Sequence, residues 1–251
     1  MTFEQWLAAL ERRHLANLRL PELTRALRAL SSAYVERRHT VSRGGPLDSA
    51  GKRAAFALFY APLHFLTCTH LIRALDQSSA LPPSSVIDVG CGTGAAGAAW
   101  AIACGASPTV VGIDRHPWAV DEARWTYRTL ELKGSARTGD LARLPRLDSG
   151  TAVVAAYVLN ELSAATRLRV FEHLLTAADR GVRVLVVEPI ARAVAPWWDE
   201  VAAATLQAGG RADEWRFPVQ LPELLRTLDK SAGMDHGELT ARSLWLPGRA
   251  A

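Results

Sequence analysis

Cysteine is scarce in this chain, and the three present, Cys68, Cys91 and Cys104, show no paired spacing. That spacing excludes a disulfide framework, offers no ligand set for a structural metal and suits a reducing compartment. Long apolar runs are also missing. None reaches the length of a bilayer span, so no membrane partner is expected. The N-terminus is charged and amphipathic and lacks the apolar core of a signal peptide, so a cytoplasmic location is expected. Internal repeats and low-complexity tracts are absent, which excludes a repeat architecture. Charge of one sign is not in large excess either, with a net +4 over 251 residues. The excess is local: residues 1–53 hold ten Lys/Arg against five Asp/Glu, and the remainder is balanced. A basic N-terminal face would meet phosphates. The same arginines also fit a plain solvated helix surface. The length allows one large core, or one core with a small appended region.

The stretch Val86-Ile87-Asp88-Val89-Gly90-Cys91-Gly92-Thr93-Gly94 is the most informative. A short apolar strand carrying one acid runs into three glycines at alternating positions. An alanine-rich helix, Ala95 to Ala103, follows at once. A tight turn from strand to helix needs positive φ, which glycine supplies without a Cβ clash. Bare backbone there lets a ligand lie against the N–H groups of the helix N-terminus. Gly92-Thr93-Gly94-Ala95-Ala96-Gly97 also satisfies the dinucleotide fingerprint, with Asp114 near the distance of a ribose-binding acid, so spacing alone leaves NAD open. The pattern D-x-G-x-G-x-G, with Asp88 inside the strand end, resembles motif I of class I S-adenosylmethionine (SAM) methyltransferases. The loop follows a long helical segment, and a further acidic site, Gly139-Asp140-Leu141, lies where methyltransferases hold the adenine. That resemblance makes SAM the expected cofactor and S-adenosylhomocysteine the expected product.

Hydrophobic periodicity divides the chain into two regions. Helices are expected over 3–19, from Pro21, and over roughly 51–76 with a kink at Pro62. Ser42-Arg43-Gly44-Gly45-Pro46 breaks the pattern, and 78–85 reads as a linker. From Val86 strands and helices alternate: strands at 86–89, 109–114, 136–138, 152–159 and 182–188, with helices at 94–104, 118–132 and 164–178. Trp197 to Leu206 and Leu221 to Ser231 read as helices, Glu214 to Phe217 and Leu239 to Leu246 as strands. The expected fold is α/β: a Rossmann-like, doubly wound, mostly parallel sheet with an antiparallel last strand, plus an N-terminal helical cap. The expected division is 1–80 for the helical cap region and 81–251 for the SAM-binding domain.

SAM carries a sulfonium, a carboxylate, a ribose diol and an adenine. The resemblance assigns the backbone of Gly90, Cys91, Gly92 and Gly94 to the methionine moiety, with Asp88 orienting that region. It assigns Asp114, beside Arg115, to the ribose, and Asp140 with the Leu141 N–H to the adenine. Cys91 is read as a small filler rather than a nucleophile. An acid after a strand also serves as a helix cap, the alternative for Asp114 and Asp140. Strand four ends in Tyr157-Val158-Leu159-Asn160-Glu161-Leu162, below the transferring methyl group of such enzymes. The N/D-P-P-Y/F tetrad is missing, which disfavours amide-directed chemistry. Asn160 borders both cofactor and acceptor, and Asn160 and Glu161 either serve the acceptor or only cap the following helix. Tyr157, Asn160, Glu161 and His64 are the candidate catalytic residues, with His70 and His116 as further possible bases. Trp118 is either an adenine platform or a packing anchor. Trp197, Trp198, Trp215 and Phe217 are either an aromatic acceptor wall or core.

A second resemblance covers most of residues 20–190. Leu30-Ser31-Ser32-Ala33-Tyr34, Phe59-Tyr60-Ala61-Pro62, the glycine loop, Tyr157 to Leu162 and Val187-Glu188-Pro189 are together similar to the methyltransferase-like family associated with the mitochondrial small ribosomal subunit and its bacterial relatives. The Cys/His-rich cluster common in that family is replaced here by Asp213-Glu214-Trp215-Arg216-Phe217, so no metal role carries over. The resemblance implies methyl transfer, with a lean to an RNA or ribosomal acceptor. A small-molecule acceptor and a non-catalytic SAM-binding assembly factor are the alternatives.

Overall fold

The computed structural model describes residues 1–16, 18–36, 47–76, 81–191 and 195–248, without the side chains of 33–36. The expected break at Ser42–Pro46, most of the expected 78–85 linker's first half and the side chain of Tyr34 lie outside what is described. The chain forms two compact units. One comprises Met1–Leu63 with Arg216–Leu239, the other His64–Trp215 with Thr240–Ala251.

The first unit is helical. Thr2 caps α1 (Phe3–His14) through a reciprocal bond pair with Gln5, which satisfies two orphan helix donors. The helix closes at Leu15, short of the expected residue 19. α2 spans Leu20–Glu36. Trp6, Leu10, Leu23, Leu27 and Leu30 are fully buried at helical spacing. Next comes α3 (Ala50–Ala55), capped by Ser49, followed by a π-helical turn over Phe56–Tyr60 and then α4 (Ala61–Leu75). The expected kink at Pro62 takes this form: proline has no N–H to give, and the widened turn just before it absorbs the mismatch. The 50–75 helix is, by length and composition, long and apolar enough to cross a membrane, although 67% of its most apolar window is buried within the protein. This corrects the expectation from uninterrupted runs, since Lys52, Arg53, His64, His70 and Arg73 break the runs without lowering the average enough. In this unit Asp229 of α9 (Glu223–Ser231) accepts from His236 N–H at 2.7 Å.

The second unit holds most of a seven-stranded sheet: β1 (Ser85–Val89), β2 (Thr109–Asp114), β3 (Gly134–Thr138), β4 (Thr151–Ala156), β5 (Arg183–Glu188), β6 (Arg211–Pro218) and β7 (Glu238–Leu246). The strand order is β3-β2-β1-β4-β5-β7-β6. The first five pair in parallel, and β7 runs antiparallel to β5. Connecting helices are α5 (Ala95–Ala103), α6 (Pro117–Thr129), α7 (Ala164–Asp179) and α8 (Trp198–Gln207). β1, β4 and β5 read as near-continuous Val/Ile/Ala/Leu because helices cover both faces of a parallel sheet. The order reverses between β1 and β4, and in open sheets the crevice at that switch point takes the ligand.

One strand departs from expectation. β4 ends at Ala156, not Leu159, because Tyr157 adopts φ 59 and turns the backbone away. Its N–H still donates to Val187 O at 2.7 Å. Leu159–Glu161 is a 3-10 turn.

Candidate active site

The loop after β1 is built by glycines in the left-handed region, with φ 68 at Gly90, 50 at Gly92 and 81 at Gly94. Gly90 also has no room for a side chain, since a Cβ would stand 2.2 Å from Val158 Cγ2. The N–H groups of Gly90 and Cys91 both donate to Ile113 O, tying the loop to β2. Asp88 lies beneath it, 1% exposed, its Oδ2 accepting from Gly97 N–H at 2.8 Å. It therefore latches α5 to β1 and reaches a ligand only through the loop. Burial raises its pKa to about 7, against the lowering effect of the Gly97 bond. Cys91 is buried, and burial pushes its thiol well up, which suits a filler and not a nucleophile.

Asp114 closes β2 at the mouth of the loop. Oδ2 accepts from Gly92 N–H at 2.9 Å and Oδ1 from His116 N–H at 2.8 Å. A carboxylate has about four acceptor sites, so both oxygens retain capacity for a diol. Arg115 beside it is exposed. His116 is spent as the N-cap of α6, where its Nδ1 accepts from Trp118 N–H at 3.2 Å. Asp140 is exposed, and its Oδ1 caps the short turn Leu141–Arg143 through Ala142 N–H at 2.9 Å. Leu141 is buried.

Across the switch point, Tyr157 stacks on His64, ring centroids 4.0 Å apart and 18° from parallel. Burial lowers the His64 pKa to about 3, so the ring is neutral and weakly basic near pH 7. Burial likewise raises the Tyr157 phenol. Glu161 is held at about 7: burial raises it, Arg115 opposes and Asp114 adds. Glu188, fully buried at the end of β5, is pushed to about 8 by burial, against the bonds from Asn160 and Leu159 N–H. The geometry thus brings together Tyr157, His64, Asn160, Glu161 and Glu188 on one side, and Asp114 with the glycine loop on the other. His70 is exposed and sits edge-on to Trp215. Trp198 is buried, so part of the aromatic set is core.

Two side chains of this site, Tyr127 and Arg167, carry no signal of their own in the sequence, and a third, Glu188, carries a weak one. Tyr127 of α6 is fully buried under the loop, where a Cβ on Gly94, Gly112 or Gly134 would stand within 2.9 Å of it. Arg167 of α7 and Glu188 bracket the Leu159–Glu161 turn. Glu188 was legible only as one more acid at a strand end.

Residues 86–181 match a family model described as a methyltransferase domain. This segment is a methyltransferase domain. Its sheet order and glycine loop are those of the class I SAM-dependent methyltransferase fold, and SAM is the cofactor that such a domain uses. The residues fit that cofactor: α5 offers a helix N-terminus whose Gly94 N-cap makes no side-chain bond, and Asp114 stands at the loop with acceptor capacity. No curated protein matches the chain in sequence. Among solved structures, the chain is similar to the mitomycin 7-O-methyltransferase MmcR, with 16% identity, TM-score 0.54, and coverage of 97% of this chain and 72% of that one. It is similar to the plantazolicin methyltransferase BpumL in complex with SAH, with 11% identity, TM-score 0.54, and coverage of 96% and 100%. It is also similar to a putative RNA methyltransferase from Pyrococcus horikoshii, with 16% identity, TM-score 0.49, and coverage of 75% and 86%. At these identities the likeness shows the fold alone.

Proposed function

We propose that this methyltransferase acts on a small-molecule acceptor bound beside Tyr157, with Glu161 receiving the acceptor's proton. Burial of the groups around Tyr157 carries the reading. His64, Glu161 and Glu188 are all desolvated enough to shift strongly toward their neutral forms. Half-buried His64, Tyr157 and Glu161 beside a fully buried Glu188 suit a compact, uncharged acceptor.

Bound SAM would supply a methyl carbon activated by its sulfonium. The chain's own residues align and desolvate the reactants. The glycine loop and Asp114 hold the cofactor side. Tyr157 and His64 give a flat neutral surface on the acceptor side. Glu161, poised near neutral pH, takes a proton from an acceptor that carries one.

An RNA or ribosomal acceptor is the second reading. It is favoured by the exposed Arg12, Arg13, Arg25 and Arg28 of α1 and α2, and by the resemblance to the ribosome-associated family. Methyl-labelled SAM with a cell extract split into RNA, protein and small-molecule fractions decides. Label among small molecules supports the proposal, and label in RNA overturns it for the second reading. SAM binding without label in any fraction points to an assembly factor that does not turn over.

A further inference from the structure

Tyr157 to Leu162 is a turn whose backbone is held by side chains from two other elements. From β5, Glu188 Oε1 accepts from Leu159 N–H at 2.8 Å and from Asn160 N–H at 3.3 Å. From α7, Arg167 Nη1 donates to Leu162 O at 3.1 Å and to Leu159 O at 3.4 Å. The Arg167 guanidinium also lies 4.7 Å from the Trp197 ring centroid. Two N–H groups are bound within the turn, Glu161 to Val158 O at 3.0 Å and Leu162 to Leu159 O at 3.3 Å. Both residues with candidate chemistry, Asn160 and Glu161, sit between these two holds.

We propose that Glu188 is a positioning residue which, with Arg167, fixes the Leu159–Glu161 turn and so sets where the Glu161 carboxylate stands. The proposal rests on the reading of Glu161 given above. A buried carboxyl is costly to place at a strand end unless its bonds are used. Here one oxygen serves two backbone donors that a 3-10 turn leaves without helical partners. The other oxygen, Oε2, is buried and has no hydrogen-bond partner among the described residues. A carboxyl kept only for packing would be replaceable by an apolar side chain. A carboxyl kept for its Oε1 is replaceable only by glutamine, which offers an amide oxygen at the same place. The charged and titratable groups around Glu188 include Glu161 from the turn, Arg167 from α7, Tyr157 from the end of β4 and buried Arg242, its register partner on β7.

The test uses the full chain with Glu188→Ala and Glu188→Gln, read by amide hydrogen exchange and by calorimetric SAM binding. In Glu188→Ala, exchange at Leu159 and Asn160 should quicken by at least about tenfold, while SAM affinity stays within about threefold. Glu188→Gln should restore the protection. Once an acceptor is labelled, Glu188→Ala should lose kcat/KM for acceptor with KM for SAM unchanged, and Glu188→Gln should recover it. Unchanged exchange in Glu188→Ala overturns the proposal. So does SAM affinity that falls in step with protection, or a glutamine variant that does not restore it. If Glu188→Ala does not fold, the pH dependence of the Leu159 and Asn160 amide shifts decides. They should titrate together in the parent chain and not in Glu188→Gln, and parent shifts that do not titrate overturn the assignment. Failure of the parent chain to label any small molecule would sink the functional reading, while exchange still decides the role of Glu188.

Discussion

Asp114 joins the end of β2, the glycine loop and the start of α6 through one carboxylate, with Gly92 N–H on one oxygen and His116 N–H on the other. Removing it takes away both of these bonds and, on the proposed reading, the ribose acceptors. Asp114→Ala should weaken SAM by about 1.5–3 kcal/mol, measured by calorimetry on a variant shown to be folded. Unchanged affinity would remove Asp114 from the site. Glu161 lies between the opposing influences of Arg115 and Asp114. Its pKa near 7 means that the base form is lost as pH falls through neutrality. The transfer rate should therefore drop below about pH 7, and Glu161→Gln should lose roughly 10²–10⁴ of the rate with a flattened pH profile. A glutamine variant with the parent's rate and profile would assign the proton to another group or to water.

The element scale turns on how α5 and α6 are packed against the sheet. Gly97 lets α5 approach β1, since a Cβ there would stand 2.9 Å from Asp88 Oδ2 and 3.0 Å from Val110 Cγ1. Gly97→Ala should push the helix away and break the Asp88 latch, costing about 1–3 kcal/mol in denaturant unfolding and weakening SAM. Tyr127 gives a paired test. Its hydroxyl is buried with no partner among the described residues, so Tyr127→Phe should be close to neutral. Tyr127→Ala should cost about 3–5 kcal/mol, because the ring is what the loop and two strands rest on. The glycine loop, α5 and β2 could be read within a residue, because period, β-branching and glycine spacing are local signals. The end of β4 could not. Ala152 to Leu159 is uniformly apolar, and what stops the strand is a positive φ at Tyr157 imposed by its surroundings, which no local preference of tyrosine announces. For the same reason the sequence showed Glu188 at a strand end but not the turn it holds. The grouping of residues 216–239 with the N-terminal helices depends on contacts far apart in sequence.

At the scale of the whole molecule the buried titratable groups act together on stability. Asp88, Glu161 and Glu188 have folded pKa values of about 7, 7 and 8, against ordinary values of 3.8, 4.5 and 4.5. Between each pair of values the folded chain binds more protons than the unfolded chain, so stability falls as pH rises through that window. His64 acts in the opposite sense. With a folded pKa of about 3 against 6.5, it makes stability rise with pH over that interval and contributes no slope above it. The two effects oppose below 6.5, and above it the carboxyls act alone. Burial also raises the Cys68 thiol and the Tyr157 phenol, which extends the same downward slope to alkaline pH. The melting temperature of the ligand-free chain should therefore fall between about pH 6.5 and 8.5, and Glu188→Gln should flatten the upper part of that fall by removing the highest of the three carboxyl pKa values. Calorimetric scans across this range check it. A melting temperature that stays level or climbs would mean that water reaches these carboxyls, and the desolvation on which the small-molecule reading rests would go with it.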